Sequence, residues 1–138
     1  MERLASKKLK NKETGNKGEL LTAEYLKNLG FTILGMNYRK QWGEIDVVAQ
    51  KDDRVHFIEV KTVSYETKHD LEAAVLRGTY RPEENVHKYK LKKLARAIET
   101  WLAEHNWQGN WQIDVAAVRI VPRETYATMN IISNIVID

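Results

Sequence analysis

Asp46, Glu59 and Lys61 carry the chemical interest of this 138-residue sequence. Glu44 to Gln50 and Val55 to Thr62 are both rich in β-branched residues and are joined by Lys51, Asp52, Asp53 and Arg54, which predicts a β-hairpin. A two-residue loop at Asp52 and Asp53, or a four-residue loop from Lys51 to Arg54, pairs residues whose numbers sum to 105. Asp46 is then expected opposite Glu59, and Glu44 opposite Lys61. Strict alternation puts Glu44, Asp46 and Val48 on one face, and Ile45, Val47 and Ala49 on the other. On the partner strand Phe57, Glu59 and Lys61 share a face. Directly opposed side chains have Cβ atoms about 5 Å apart, and like charges there are destabilising unless something lies between them. Two carboxylates that close call for a cation. His56, His69, His87 and His105 are scattered and there is no cysteine, so soft ligands are lacking. Oxygen coordination suits Mg²⁺ or Mn²⁺, with waters completing the octahedron. A metal on two carboxylates, with a lysine two residues along, is equipped to hydrolyse a phosphodiester: the ion polarises the phosphoryl oxygen and acidifies a water, while the ammonium offsets developing charge. In an arbitrary strand pair the same trio also reads as a cross-strand salt bridge.

The elements that must position these residues follow from periodicity and breakers. Thr14 is placed to cap a helix over residues 15 to 29, with Gly30 as its stop. On that helix Ala23 and Leu26 fall within about 40° of Glu19, so this carboxylate shares a face with apolar residues. Phe31 to Leu34 reads as a short strand and Gly35 to Gly43 as a connection carrying Asn37, Arg39 and Lys40. A short helix is expected over Leu71 to Arg77, with Gly78 and Pro82 as breakers. From Val86 to His105 the positions Leu91, Leu94, Ala95, Ile98, Trp101 and Leu102 follow helical spacing. Trp111 to Val121 reads as a strand ended by Pro122, and Met129 to Ile137 as a last strand. The order predicts an α/β fold with a central mixed sheet flanked by helices. Residues 1 to 14 are expected to be a mobile basic segment and 15 to 138 a single domain.

Composition and charge narrow the partners. Apolar residues at 43% and charged ones at 30% are ordinary for one globular domain. Without cysteine a disulfide scaffold, a Cys-ligated zinc and a thiol nucleophile are all excluded, and a reducing cytoplasm fits. No apolar stretch follows the first basic residues, so no secretory signal is expected, and no run is long enough to span a membrane. Net charge is +3, yet residues 1 to 17 sum to +4 and residues 77 to 96 to +5, leaving −6 elsewhere. Two basic segments around an acid-rich middle suit a polyanion, although charge runs also occur as plain solvated faces. Arg39, just before the hairpin, has the reach for a bidentate phosphate contact and equally suits a structural ion pair. Lys88 and Lys92, at i and i+4, can track a phosphate backbone or simply solvate a helix. Asp114 lies on an expected central strand and needs a partner if buried, with a supporting place beside the site as one reading. Trp101, Trp107 and Trp111 read as core. Trp42, beside Gly43 at the hairpin mouth, is the tryptophan suited to stacking.

The pattern Asp46, twelve residues, Glu59-Val60-Lys61, preceded by an acid on an earlier helix, resembles the PD-(D/E)-x-K nuclease superfamily, which includes restriction endonucleases and archaeal Holliday junction resolvases. More closely, Gly15-x-x-Gly18-Glu19, Tyr25-Leu26, Gly30-Phe31, Asn37-Tyr38-Arg39, Gly43-Glu44-Ile45-Asp46, Phe57-Ile58-Glu59-Val60-Lys61 and Lys88 resemble the YraN-like family of small bacterial proteins, over about residues 15 to 120. The resemblance implies a restriction-endonuclease-like core with the site at the hairpin. It implies Asp46 and Glu59 as ligands of Mg²⁺ or Mn²⁺, the Val60 carbonyl as a further ligand, Lys61 as the catalytic lysine and Glu19 as the acid completing the site. The expected activity is metal-dependent hydrolysis of DNA, favoured over RNA, in branched or single-stranded form. The alternative is a catalytically weak or inactive nucleic-acid-binding module on the same fold. A homodimer would set two sites on opposing strands; a membrane partner is not implied. Two departures stand out. Val63 occupies a position where relatives often carry a basic residue, and the tail from Asn130 to Asp138 is apolar enough to be a sheet edge used for self-association.

Overall fold

Among the described residues, two glycines and an asparagine end the three α-helices. The computed structural model describes residues 2–78 and 88–136, with backbone alone for 2–11 and 88–90. Helix α1 is Glu2–Asn28, α2 is Lys68–Arg77 and α3 is Lys88–Glu104; the strands are β1 (Thr32–Lys40), β2 (Gly43–Lys51), β3 (Arg54–Ser64), β4 (Asn110–Val121) and β5 (Tyr126–Ile132). Gly30, at φ 93°, donates its N–H to the Lys27 carbonyl at 3.0 Å while Phe31 N–H reaches the Leu26 carbonyl at 2.9 Å. These two bonds absorb the orphan carbonyls of the last turn of α1. Gly78 (φ 67°) does the same for α2, whose first turn is capped by Thr67 Oγ1 accepting from Asp70 N–H at 3.0 Å. Asn106 (φ 49°) ends α3, with Trp107 N–H on the Leu102 carbonyl at 3.0 Å.

The five strands form one sheet in chain order. Three neighbouring pairs are antiparallel and β3/β4 is parallel, so the sheet is mixed as expected, and α2 and α3 lie in the crossover between the parallel strands. Helix α1 covers one face, where Leu26 packs with Val47, Ala49, Ile58 and Ala116. Helix α3 covers the other: Leu94, Ala97, Ile98 and Trp101 pack on Ile45, Val48, Val55, Phe57 and Ile113, with Phe57 and Trp101 edge to face at 5.3 Å. This two-layered burial is consistent with a restriction-endonuclease-like core. Among the described residues no helix is long and apolar enough to cross a membrane.

Several expected boundaries move. Thr14 does not cap α1 but lies inside it, because the Lys- and Glu-rich residues before it are good helix formers and nothing there interrupts the backbone ladder. The expected connection from Gly35 to Gly43 is mostly strand β1, an edge strand with a bulge between Ile33 and Gly35. The last strand begins earlier than Met129, because a 3₁₀ turn at Pro122–Glu124 and Thr125 at φ 51° reverse the chain at once and pair Val121 with Tyr126. Trp111 is 43% exposed, not core, although its ring meets Phe57 edge-on.

Candidate active site

The hairpin keeps the expected register from Lys51↔Arg54 to Val47↔Ile58 and then stops. The next pair in that register is Asp46 and Glu59. Instead of a backbone acceptor, the Asp46 carboxylate takes up the Val60 N–H, with Oδ2 accepting at 2.8 Å. The strands therefore part where the two acids stand.

A second irregularity crosses the same point. Met36 pairs with Val47 and both pack on the α1 side, whereas Tyr38 pairs with Ile45 and both pack on the α3 side. Residues two apart in a regular strand share a face, so both strands change face between these pairs, at Asn37 and Asp46. Asn37 makes the change with φ 53°, a left-handed conformation that asparagine tolerates better than most residues. This corrects the expectation that Ile45 shares a face with Val47 and Ala49.

Helix α1 brings in the third acid. A Cβ on Gly18 would lie 1.8 Å from Thr62 Oγ1, so the helix backbone sits directly on β3 at this turn and only glycine fits. Thr22, fully buried, donates to the Gly18 carbonyl at 2.8 Å, while Thr62 Oγ1 on the strand side of the contact is buried without a hydrogen-bond partner. The next residue, Glu19, is thereby held over the end of the hairpin, where the Asn37 side chain hydrogen-bonds it. Burial pushes the Glu19 carboxyl above the usual carboxylate range; the Asn37 hydrogen bond opposes this, and Glu44 and Glu59 add to the rise while Arg39 counters it.

Asp46 and Glu59 are 6% and 4% exposed. Burial first, and then the neighbouring Glu59 charge, push the Asp46 carboxyl up to about 8, against the lowering effect of the Val60 N–H; Glu19 raises it further. Lys61 Nζ stands 3.5 Å from Glu59 Oε1. Glu19, Asp46, Glu59 and Lys61 thus converge, as expected from the sequence. The three carboxylates offer only oxygen ligands, and acids crowded side by side in a buried place are what a hard divalent cation would relieve. Among the described residues no three His, Cys, Asp or Glu side chains stand close enough to hold a metal by themselves. An ion here would rest on Asp46 and Glu59 and draw its remaining ligands from backbone carbonyl and water.

The other expected residues are placed differently. Val60 gives its N–H to Asp46 and packs its side chain on the α1 side. Arg39 is exposed at the rim, 3.2 Å from Glu44, within electrostatic reach of Glu19. Lys92 is on α3, across the sheet from Glu19, in a groove lined by Gln41, Trp42, Lys93 and Arg96. The Lys88 side chain lies outside the described residues. Asp114 does not support this site; it binds His56, Gln112 and the Asn134 backbone. Sequence reasoning assigned no role to Asn37 or to the close approach of Gly18. The signal for both was a short polar or side-chain-free residue set in a segment otherwise regular.

Comparison with known proteins covers this site in full. The profile of the uncharacterised protein family UPF0102 matches residues 18–118, which contain Glu19, Asp46, Glu59 and Lys61. A UPF0102 protein of Campylobacter fetus subsp. fetus (strain 82-40) is 37% identical over 106 residues, covering 75% of this chain and 81% of its own. A UPF0102 protein of Campylobacter lari (strain RM2100) is 36% identical over 104 residues, with the same shares. One from Campylobacter hominis is 31% identical over 112 residues, 80% of this chain and 87% of its own.

Proposed function

Since the chain belongs to the UPF0102 family, for which no activity comes with the name, the site itself must carry the reading, and we propose a metal-dependent endonuclease that hydrolyses phosphodiester bonds of DNA, including branched or single-stranded forms. One observation supports this most: Asp46 and Glu59 are buried side by side where the hairpin opens, with the Lys61 ammonium 3.5 Å from Glu59. A divalent ion bound by that pair, Mg²⁺ or Mn²⁺, would supply Lewis acidity and a more acidic water. Lys61 offsets negative charge developing at the phosphorus or orients the attacking water. Glu19, its carboxyl raised above the usual range by burial and hydrogen-bonded by Asn37, is the acid at the edge of the site. Arg39 at the rim can exchange its exposed pairing with Glu44 for a phosphate. A cysteine-free chain suits action in the cytoplasm.

A second reading, a nucleic-acid-binding module with weak turnover or none, is favoured by the lack of a three-ligand cluster among the described residues. A labelled panel of linear duplex, single strand, fork, four-way junction and RNA hairpin, incubated with Mg²⁺, Mn²⁺ or EDTA, separates the two. The nuclease reading expects metal-dependent cutting that falls by about a hundredfold or more in Lys61→Ala. Binding without cutting, equal in wild type and Lys61→Ala, would establish the module instead.

A further inference from the structure

The groove on the α3 face belongs to neither the carboxylate pair nor the core. It is open, about 740 Å³, and lies between the β1–β2 turn (Gln41, Trp42) and Lys92, Lys93 and Arg96 of α3. Its aromatic wall is fixed in place: Trp42 Nε1 donates to Thr100 Oγ1 at 3.0 Å, and Thr100 in turn donates to the Arg96 carbonyl at 3.1 Å. The turn beneath it is equally constrained, because a Cβ on Gly43 would lie 2.1 Å from the Lys93 carbonyl. Yet Trp42 remains 38% exposed. A large apolar ring that the core does not claim, held rigid beside several cationic side chains, has the composition of a single-strand platform: a π-face for a base and positive charge for the flanking phosphates. Duplex DNA keeps its bases stacked on one another and has no free base face to offer such a ring. Trp42 is also four residues from Asp46 on the same stretch of chain, about 13 Å at the rise of an extended strand.

We infer that this groove is a subsite for an unpaired nucleotide, with the base stacked on Trp42 and the adjacent phosphates held by Lys92 and Arg96. The inference rests on the proposed nucleic-acid function, and it selects within that function: strands with unpaired bases bind here, and intact duplex does not. An acidic protein segment would meet the same cations but would make no use of the indole face.

Fluorescence anisotropy with a labelled single-stranded oligonucleotide and a matched duplex, in EDTA so that no cutting intervenes, tests it independently of the carboxylates. Trp42→Ala is expected to weaken single-strand binding by about tenfold, with Trp42→Phe retaining most of it and duplex affinity changing less than about twofold. Arg96→Gln is expected to flatten the salt dependence of single-strand binding by about one unit of slope. Unchanged single-strand affinity in Trp42→Ala, an equal loss for duplex, or equally tight binding of a labelled poly-glutamate peptide would each overturn the subsite. Cleavage of the panel above by wild-type protein alongside an unaffected Trp42→Ala would overturn the subsite while leaving the nuclease standing; Trp42-dependent binding without any cutting would do the reverse.

Discussion

Asp46 and Asp114 are both buried acids on central strands of one sheet, 6% and 3% exposed, and they are treated in opposite ways. Asp114 has each need met: His56 Nδ1 lies 2.7 Å from Oδ2, while Gln112 Nε2 and the Asn134 N–H reach Oδ1 at 2.8 and 2.9 Å. Phe31 closes over the His56 ring edge to face. The Asn134 contact pins the chain beyond β5, and Ile135 N–H then bonds the Ile113 carbonyl at 2.7 Å. Asp46 has one backbone donor and two acidic neighbours, Glu59 and Glu19, that raise its pKa. A buried carboxylate surrounded by donors builds the fold, whereas one surrounded by other acids is a cost to the fold that binding can relieve. The difference separates anchor from candidate site without reference to any relative.

Mutations that empty each centre should sharpen the contrast. Asp114→Ala leaves His56, Gln112 and the Asn134 N–H without their acceptor, and a loss of about 3–5 kcal/mol in urea unfolding is expected. Gly18→Ala forces a methyl onto Thr62, with an expected loss of about 1–3 kcal/mol, whereas Gly35→Ala, with open space at its Cβ, should stay within about 0.5 kcal/mol. Asp46→Asn keeps an acceptor for the Val60 N–H and removes a charge from beside Glu59. The metal-free protein is therefore expected to gain about 1 kcal/mol near pH 8, and a loss as large as that of Asp114→Ala would erase the comparison.

The last effect is a slope with pH. Asp46 rises from 3.8 to about 8 on folding, so the folded state binds its proton more tightly than the unfolded chain does. The stability this contributes is full below about pH 4 and is lost as pH climbs through about 8. Urea midpoints of metal-free wild type should fall relative to Asp46→Asn between pH 5.5 and 8.5. Parallel midpoints over that range would show that Asp46 is not held in its protonated form.

The hairpin register and the amphipathic α3 were legible because each rests on a local pattern: β-branched runs closed by Asp52 and Asp53, and apolar positions such as Leu94, Ile98 and Trp101 at helical spacing. Gly30 was legible as a stop for the same reason. The strand β1 was not, since its bulge and the left-handed Asn37 destroy the alternation by which an edge strand is recognised. Nor could the sequence show that Ile45 changes face, because a period of two has no place for a backbone that turns over at Asp46. The role of Asp114 depended on the parallel register that sets it two pairs along from His56↔Gln112, and long-range pairing of that kind leaves no local signal. That Asp46, Glu59 and Lys61 come together was nonetheless legible, because the hairpin constrains their spacing, whereas Glu19 reaches them from α1.

Calorimetric titration of Mn²⁺ into metal-free protein at pH 8 tests most directly whether the Asp46–Glu59 pair is built for a cation. Wild type should take up the ion at a single site that Asp46→Asn and Glu59→Gln each abolish, while both variants melt as folded proteins. No uptake by wild type, or uptake that survives Asp46→Asn, would contradict a metal site at the opened hairpin.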